Sequence, residues 1–270
     1  MMPAHPHSGF QDPPERHSIL AETDRIALGG QLGGVSRHRL SAPAVVVGLD
    51  GDLRVRSEHV LEGRVILVRP GCWHSIDATA GRMAVFLLPP HALRADQLSW
   101  AQELEQPERW RELGEALLVG QRAAWEPIDR CLAGERLRVH PLDPRLQAAM
   151  AALERTLDEN VAVGEVAAAA RLSASRLMAL AHEQLGTSLR AYRRWLRAFR
   201  VVRDYAAGLS LTEAAFAAGF ASSPHLSVSA REQFGVRPSD ILRPGNRATI
   251  RVVIPAAEVQ RSRSNGGGDR

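Results

Sequence analysis

The side chains best suited to chemistry in this sequence are Arg176, an arginine series at 190, 193, 194, 197, 200 and 203, and the histidines His38 and His74. A guanidinium fork pairs with phosphate oxygens and with the guanine edge in a fixed geometry, so the arginines point to nucleic acid. Alone, such a series is a solvated helix face; flanking DNA-reading units would turn a subset of it toward phosphates. The imidazoles carry less. Two of them without a carboxylate rarely make a catalytic metal site. Cys72 and Cys131 are the only cysteines and form no C-x-x-C pair, which argues against a disulfide framework or a structural zinc site. No catalytic residue, metal or cofactor is expected.

The elements that would position the arginines are written twice. One copy runs Val163-Gly164-Glu165-Val166-Ala167, then Ala168 to Ala170, then Arg171-Leu172-Ser173-Ala174-Ser175-Arg176-Leu177. The other runs from Leu211-Thr212-Glu213 through Ala218-Gly219-Phe220 to Ala221-Ser222-Ser223-Pro224-His225-Leu226. Each has a short apolar helix, a turn, and a serine (Ser173, or Ser222 and Ser223) where an N-cap satisfies the next helix's amides. In such a helix-turn-helix unit the first helix braces and the second offers its N-terminal residues to the major groove. Between the copies, Leu189, Tyr192, Leu196, Phe199, Val202 and Ala206 form a helical stripe. About nineteen helical residues span roughly 28 Å, close to the ~34 Å between successive major grooves on one face. One chain could thus read two adjacent turns.

Length and charge agree. A chain of 270 residues holds two domains. Residues 1–144 carry 16 Arg against 19 acidic residues, residues 145–243 carry 13 against 9, and the tail carries 5 against 2. The positive charge gathers on the duplicated units. No apolar run approaches a membrane span and no signal-peptide core is seen, so a cytoplasmic chain without membrane partners is expected. Between Ile26 and Pro90 short β-rich runs alternate with Gly and Pro, and Asp50-Gly51 between two of them signals a hairpin. From 95 to 134, Leu98, Leu104, Trp110, Leu113 and Leu117 recur at helical steps.

The duplicated region resembles the DNA-binding domain of the AraC/XylS family of bacterial transcription regulators. The likeness rests on the first unit, Gly186-Thr187-Ser188 with Tyr192, Trp195-Leu196-Arg197, Ala218-Gly219-Phe220 and the closing Phe234-Gly235-Val236-Arg237-Pro238-Ser239. It implies base-facing side chains at Ser175, Arg176, Met178 and Ala179, and at Ser222, Ser223, His225 and Val228, with Ser173 and Arg197 also at the DNA. Ala179 and Val228 stand where relatives often carry arginine, Ala181 where a core Phe is usual, and Arg171 where a turn would favour Gly. The segment from Gly63 to Pro70-Gly71-Cys72-Trp73-His74 resembles a cupin motif, in which a Pro-Gly turn precedes an inward His.

The expected fold is α+β: a cupin-like N-terminal β-barrel followed by helices, then an all-α domain with two helix-turn-helix units. The expected divisions are a disordered 1–24, a barrel over 25–94, a helical dimerisation region over 95–138, a linker over 139–144, the DNA-binding domain over 145–243 and a largely disordered tail over 244–270. The resemblance implies a sequence-specific DNA-binding transcription regulator that is not an enzyme. Its effector would be a small molecule held in the barrel by His38, Trp73 and His74. Double-stranded DNA, a second copy of the chain and, for an activator, RNA polymerase would be its partners. The alternative is a cupin-type enzyme with an appended DNA-binding domain.

Overall fold

Valine-rich runs with few polar residues predict strands covered on both faces, and the N-terminal half builds a sheet of that kind. A computed structural model describes residues 17–252, apart from 23–24, 33, 79–80, 94, 96–97, 120–124, 135–140, 158, 160 and 243–249. Its strands are β1 (Ser18–Glu22), β2 (Arg25–Gly30), β3 (Gly34–Arg39), β4 (Ala44–Gly48), β5 (Leu53–Arg56), β6 (Val60–Gly63), β7 (Val65–Val68), β8 (Trp73–Asp77), β9 (Met83–Leu87), β10 (Ala101–Glu103) and β11 (Ile250–Val252). Seven pair in the order β10-β7-β4-β9-β2-β1-β11, and four in the order β3-β8-β5-β6.

The larger sheet is the middle layer. On one side, Val45, Val47, Leu67 and Phe86 pack under α1 (Pro107–Leu118) and α2 (Trp125–Gly134). Trp110 sits 5.7 Å, ring to ring, from Phe86. Gly114 lets α1 close on the sheet, since a Cβ there would overlap Leu49. On the other side Val46, Ile66 and Met83 meet Val55 and Ile76 of the smaller sheet. The smaller sheet has only four strands, so it leaves the β1–β2 end of this face to be covered by something else.

That cover is the C-terminal half. It comprises α3 (Pro144–Arg155), α4 (Val163–Ala169), α5 (Ala174–Leu185), α6 (Leu189–Ala206), α7 (Leu211–Ala217), α8 (Ser223–Phe234) and α9 (Pro238–Ile241). Trp195, Phe199, Val201 and Tyr205 of α6 share one core with Ile19, Ile26 and Leu87 of the sheet and with Ala214, Phe220 and Leu226. The first unit keeps a separate core around Leu146, Leu177, Leu180 and Tyr192.

Several sequence expectations change. Among the described residues the strands form two open sheets and no closed barrel. Asp50-Gly51 is not a hairpin turn, because β4 pairs with β7 and β9 while β5 pairs with β6 and β8. The turn carries the chain from one sheet to the other, and the Asp50 carboxylate accepts from the Arg82 amide and guanidinium. The stretch after 95 is not helical throughout, since Ala101–Glu103 adds a strand beside β7. Trp110 and Leu117, read as part of a dimerisation stripe, are buried against the chain's own sheet. Residues 18–22 are a strand, and Ile250–Val252 returns from beyond the helices to pair in parallel with β1. The N-terminal sheet is therefore finished by the C-terminal tail. The disorder expected for 1–16, 23–24, 244–249 and 253–270 lies outside the described residues, as does part of the linker.

Candidate nucleic-acid interface and effector cavity

Each helix-turn-helix unit is built by local chemistry. Ser173 caps α5 by accepting from the Arg176 amide at 3.2 Å, and Ser222 caps α8 by accepting from the His225 amide at 3.2 Å. Ser210 and Glu213 form a reciprocal capping box on α7. The turn glycine Gly219 is left-handed at φ 80°, and Phe220 behind it is buried. In the first unit the turn residue is Arg171, held at φ 55°, the one non-glycine at positive φ among the described residues. The substitution that the sequence flagged leaves the turn unchanged and strains it instead.

The residues expected to face bases lie at the surfaces of α5 and α8 to different degrees. On α5, Ser175, Arg176 and Ala179 are exposed and Met178 is 51% exposed. On α8, Val228 is 55% exposed, His225 is exposed, and Ser222 and Ser223 are half-buried. Met178 and Val228 are large apolar side chains held in water on helix N-terminal halves, where thymine methyl groups would cover them. Four polar residues are partly engaged already. Ser223 donates to Thr212 Oγ1 at 3.1 Å, the His225 Nδ1 accepts from the Ala221 amide at 3.3 Å, and Ser173 Oγ lies 3.2 Å from Ser175 Oγ.

Arg197 does not fit its expected place. It is buried, its Nη2 donates to the Leu157 carbonyl at 3.3 Å, and its guanidinium lies on Gly219, where a Cβ would stand 3.1 Å away. It joins the approach to the first unit with the turn of the second, and so sets their relative position. Arg193, one turn earlier, donates to the Val161 carbonyl at 2.8 Å. The α6 stripe therefore turns two of its arginines inward, where sequence alone showed a uniform basic series.

The N-terminal candidates separate. His38 on β3 and His74 on β8 face each other in register, both buried, with ring centroids 4.2 Å apart. Each Nδ1 lies near a carbonyl two residues back, Ser36 O at 2.8 Å and Cys72 O at 2.9 Å. An imidazole nitrogen facing a carbonyl must donate, so in each neutral ring the proton sits on Nδ1 and the lone pair on Nε2. Burial, reinforced by the neighbouring His74, pushes the His38 imidazole down to about 3, and burial lowers His74 as well. Trp73 does not join them. Adjacent strand residues point to opposite faces, and Trp73 stands 41% exposed on the outer side with Arg37 and Arg39 over its ring.

Sequence reasoning missed the cavity itself. A space of about 120 Å³ lies between the uncovered end of the large sheet and the C-terminal helices, lined by Ile26, Leu28, His38 and Val85 from one side and by Leu226 and Phe234 of α8 from the other. The contacts beside it were missed too. His182-Glu183-Gln184-Leu185-Gly186 and Arg231-Glu232-Gln233-Phe234-Gly235 repeat one another at the ends of α5 and α8. Both closing glycines are left-handed and both abut the β-rich half. Gly186 meets Pro70, Gly71 and Ala95, while Gly235 meets Val35, Ser36 and His38 and accepts from Ser36 Oγ at 2.6 Å. The repeated Glu-Gln-x-Gly was the legible signal.

Two capped recognition helices on one long connecting helix define a double helix-turn-helix DNA-binding domain. Residues 166–244 match the helix-turn-helix domain family. Over 100 residues the chain is 33% identical to the HTH-type transcriptional regulator GbdR of Pseudomonas aeruginosa, a match covering 36% of this chain and 27% of that protein. The chain thus spans about a quarter of this relative's length. In fold it is similar to ToxT from Vibrio cholerae O395, with a TM-score of 0.56, 11% identity, and coverage of 84% of this chain and 95% of that one. The unsaturated fatty acid bound ToxT of Vibrio cholerae strain SCE256 gives a TM-score of 0.55 at 13% identity, over 84% and 93% of the two chains. At these identities the likeness is one of fold. The C-terminal region matches a helix-turn-helix domain, joined to a β-rich N-terminal half in a fold similar to that of ToxT.

Proposed function

We propose that this protein is a sequence-specific DNA-binding transcription regulator whose reading helices are held by an effector-responsive N-terminal half. The observation that carries this is the seating of both recognition helices, through Gly186 and Gly235, on the β-rich half beside an apolar cavity. Ser175, Arg176, Met178 and Ala179 would read one groove, and Ser222, Ser223, His225 and Val228 the next, with Ser173 serving as cap and Arg197 as brace. A ligand acts by favouring one arrangement of the two halves over another. The effector would lie at His38, with His74 behind it and Trp73 outside the site. The relatives are transcription regulators, which favours this reading over an enzyme with an appended DNA-binding domain, and a solved ToxT holds an unsaturated fatty acid.

A cytoplasmic location and, for an activator, contact with RNA polymerase belong to the same proposal; among the described residues no helix is long and apolar enough to cross a membrane. A homodimer would use a surface other than Trp110 and Leu117. The test is to map binding sites of the full-length protein on its own genome, then to measure affinity for the recovered duplexes against scrambled ones. Recovery of a shared two-part sequence spaced by one helical turn supports the proposal, and uniform affinity for all duplexes ends it.

A further inference from the structure

The cavity beside His38 has a chemistry narrower than its position requires. Among the described residues every other lining side chain is a hydrocarbon, Ile26, Leu28, Val85, Leu226 and Phe234 included. The polar side chain of this described wall is one imidazole. Its Nδ1 is committed to the Ser36 carbonyl at 2.8 Å, so what it offers a ligand is the Nε2 lone pair, an acceptor. Next to it, the buried His74 leaves its own Nε2 without a partner. Among the described residues no cation lines the space, so a carboxylate would lose its hydration and face only an acceptor. An ammonium would exchange its water shell for a single lone pair. A neutral O–H group loses little and makes one good hydrogen bond.

Size narrows the class again. An apolar cavity of about 150 Å³ in another protein takes benzene, so about 120 Å³ accommodates one ring or a comparably small branched hydrocarbon. We infer that the cavity binds a small uncharged hydroxylated hydrocarbon, with phenol the simplest example, its ring against the apolar walls and its O–H donated to His38 Nε2. Because Leu226 and Phe234 belong to the second recognition helix, such a ligand touches a DNA-reading element directly. This inference rests on the effector reading proposed above and specifies its ligand.

The experiment uses the full-length protein at pH 7 with phenol, benzene and benzoate, read by calorimetric titration and by thermal shift. Phenol is expected to bind at least ten-fold more tightly than benzene, and benzoate not at all. His38→Leu should abolish the preference for phenol over benzene, while His38→Gln, which keeps an acceptor near the Nε2 position, should retain part of it. The wild-type comparison needs no variant, so a misfolded His38→Leu leaves the test intact. Equal binding of phenol and benzene, tighter binding of benzoate, or no binding of phenol overturns the inference. Duplex affinity measured in the same samples separates the two claims. Phenol that binds without altering DNA affinity leaves the ligand class standing and removes the regulatory role. A different molecule that shifts DNA affinity while phenol fails to bind does the reverse.

Discussion

Gln233, near the end of the second recognition helix, donates through Nε2 to the hydroxyl of Ser41 at 2.9 Å, and the same nitrogen donates to the Ala191 carbonyl at 2.9 Å. One buried amide thus ties α8 both to the β-rich half and to the connecting helix α6. Its counterpart in the repeat, Gln184, faces inward within its own unit and accepts from the Asp143 amide at 2.9 Å. The same residue does local work in the first copy and joins the two halves in the second.

Replacing Gln233 by Leu should therefore cost about 1–3 kcal/mol, the penalty for stranding buried polar groups. Urea unfolding of the full-length protein measures it. Gln233→Leu should also blunt the transfer of any ligand effect to DNA affinity, whereas Gln184→Leu should destabilise without that loss. Identical behaviour of the two variants would remove the distinction.

Duplex affinity should fall steeply with salt, as arginine contacts release counterions. Arg176→Ala should lower affinity for the cognate site by about 1–3 kcal/mol if its fork reads guanine. Fluorescence anisotropy at two salt concentrations checks this. Equal weakening on every duplex would assign Arg176 to phosphate.

Arg197→Ala breaks the link between the Leu157 carbonyl and the Gly219 turn. Affinity for a duplex carrying both half-sites should drop by more than affinity for a duplex carrying one, since each unit survives but their spacing is no longer set. A uniform drop on both duplexes would show Arg197 acting as an ordinary DNA contact.

At φ 55°, Arg171 pays the steric cost of a left-handed L-residue, about 1 kcal/mol. Arg171→Gly relieves it, although glycine's looser unfolded chain takes some of the gain back. The expected result is a rise of up to about 1 kcal/mol in unfolding free energy, seen as a higher melting temperature. A fall would mean that the Arg171 side chain contributes more than its backbone costs.

Acid should unfold this protein earlier than its carboxylates alone require. The His38 imidazole is held down to about 3 in the folded chain and returns to its ordinary value near 6.5 on unfolding. Between those values the unfolded state takes up a proton that the folded state refuses. Stability from this source is complete above about pH 6.5 and is lost as pH falls toward 3, by up to about 1.4 kcal/mol per unit for His38, with His74 acting in the same direction. Urea midpoints at pH 7 and pH 5 should differ accordingly, and His38→Gln should reduce the difference.

The helix-turn-helix units were legible in the sequence because their determinants are local. A serine reaches an amide three residues on, a left-handed turn rewards glycine and tolerates little else, and an apolar stripe at helical spacing marks its own buried face. Ser173, Ser222, Gly219 and Phe220 could be placed without any knowledge of distant segments. The opposite sides of Trp73 and His74 were equally within reach, since strand alternation separates neighbours. What closes the rest depends on surfaces that meet only when the chain is folded. Whether Asp50-Gly51 joins one sheet or two, whether Ile250–Val252 pairs with Ser18–Glu22, which arginines of α6 turn inward, and whether His38 looks onto protein or onto a cavity follow from long-range burial. A four-stranded sheet cannot cover a seven-stranded one, and the residues that fill the difference lie more than a hundred positions away.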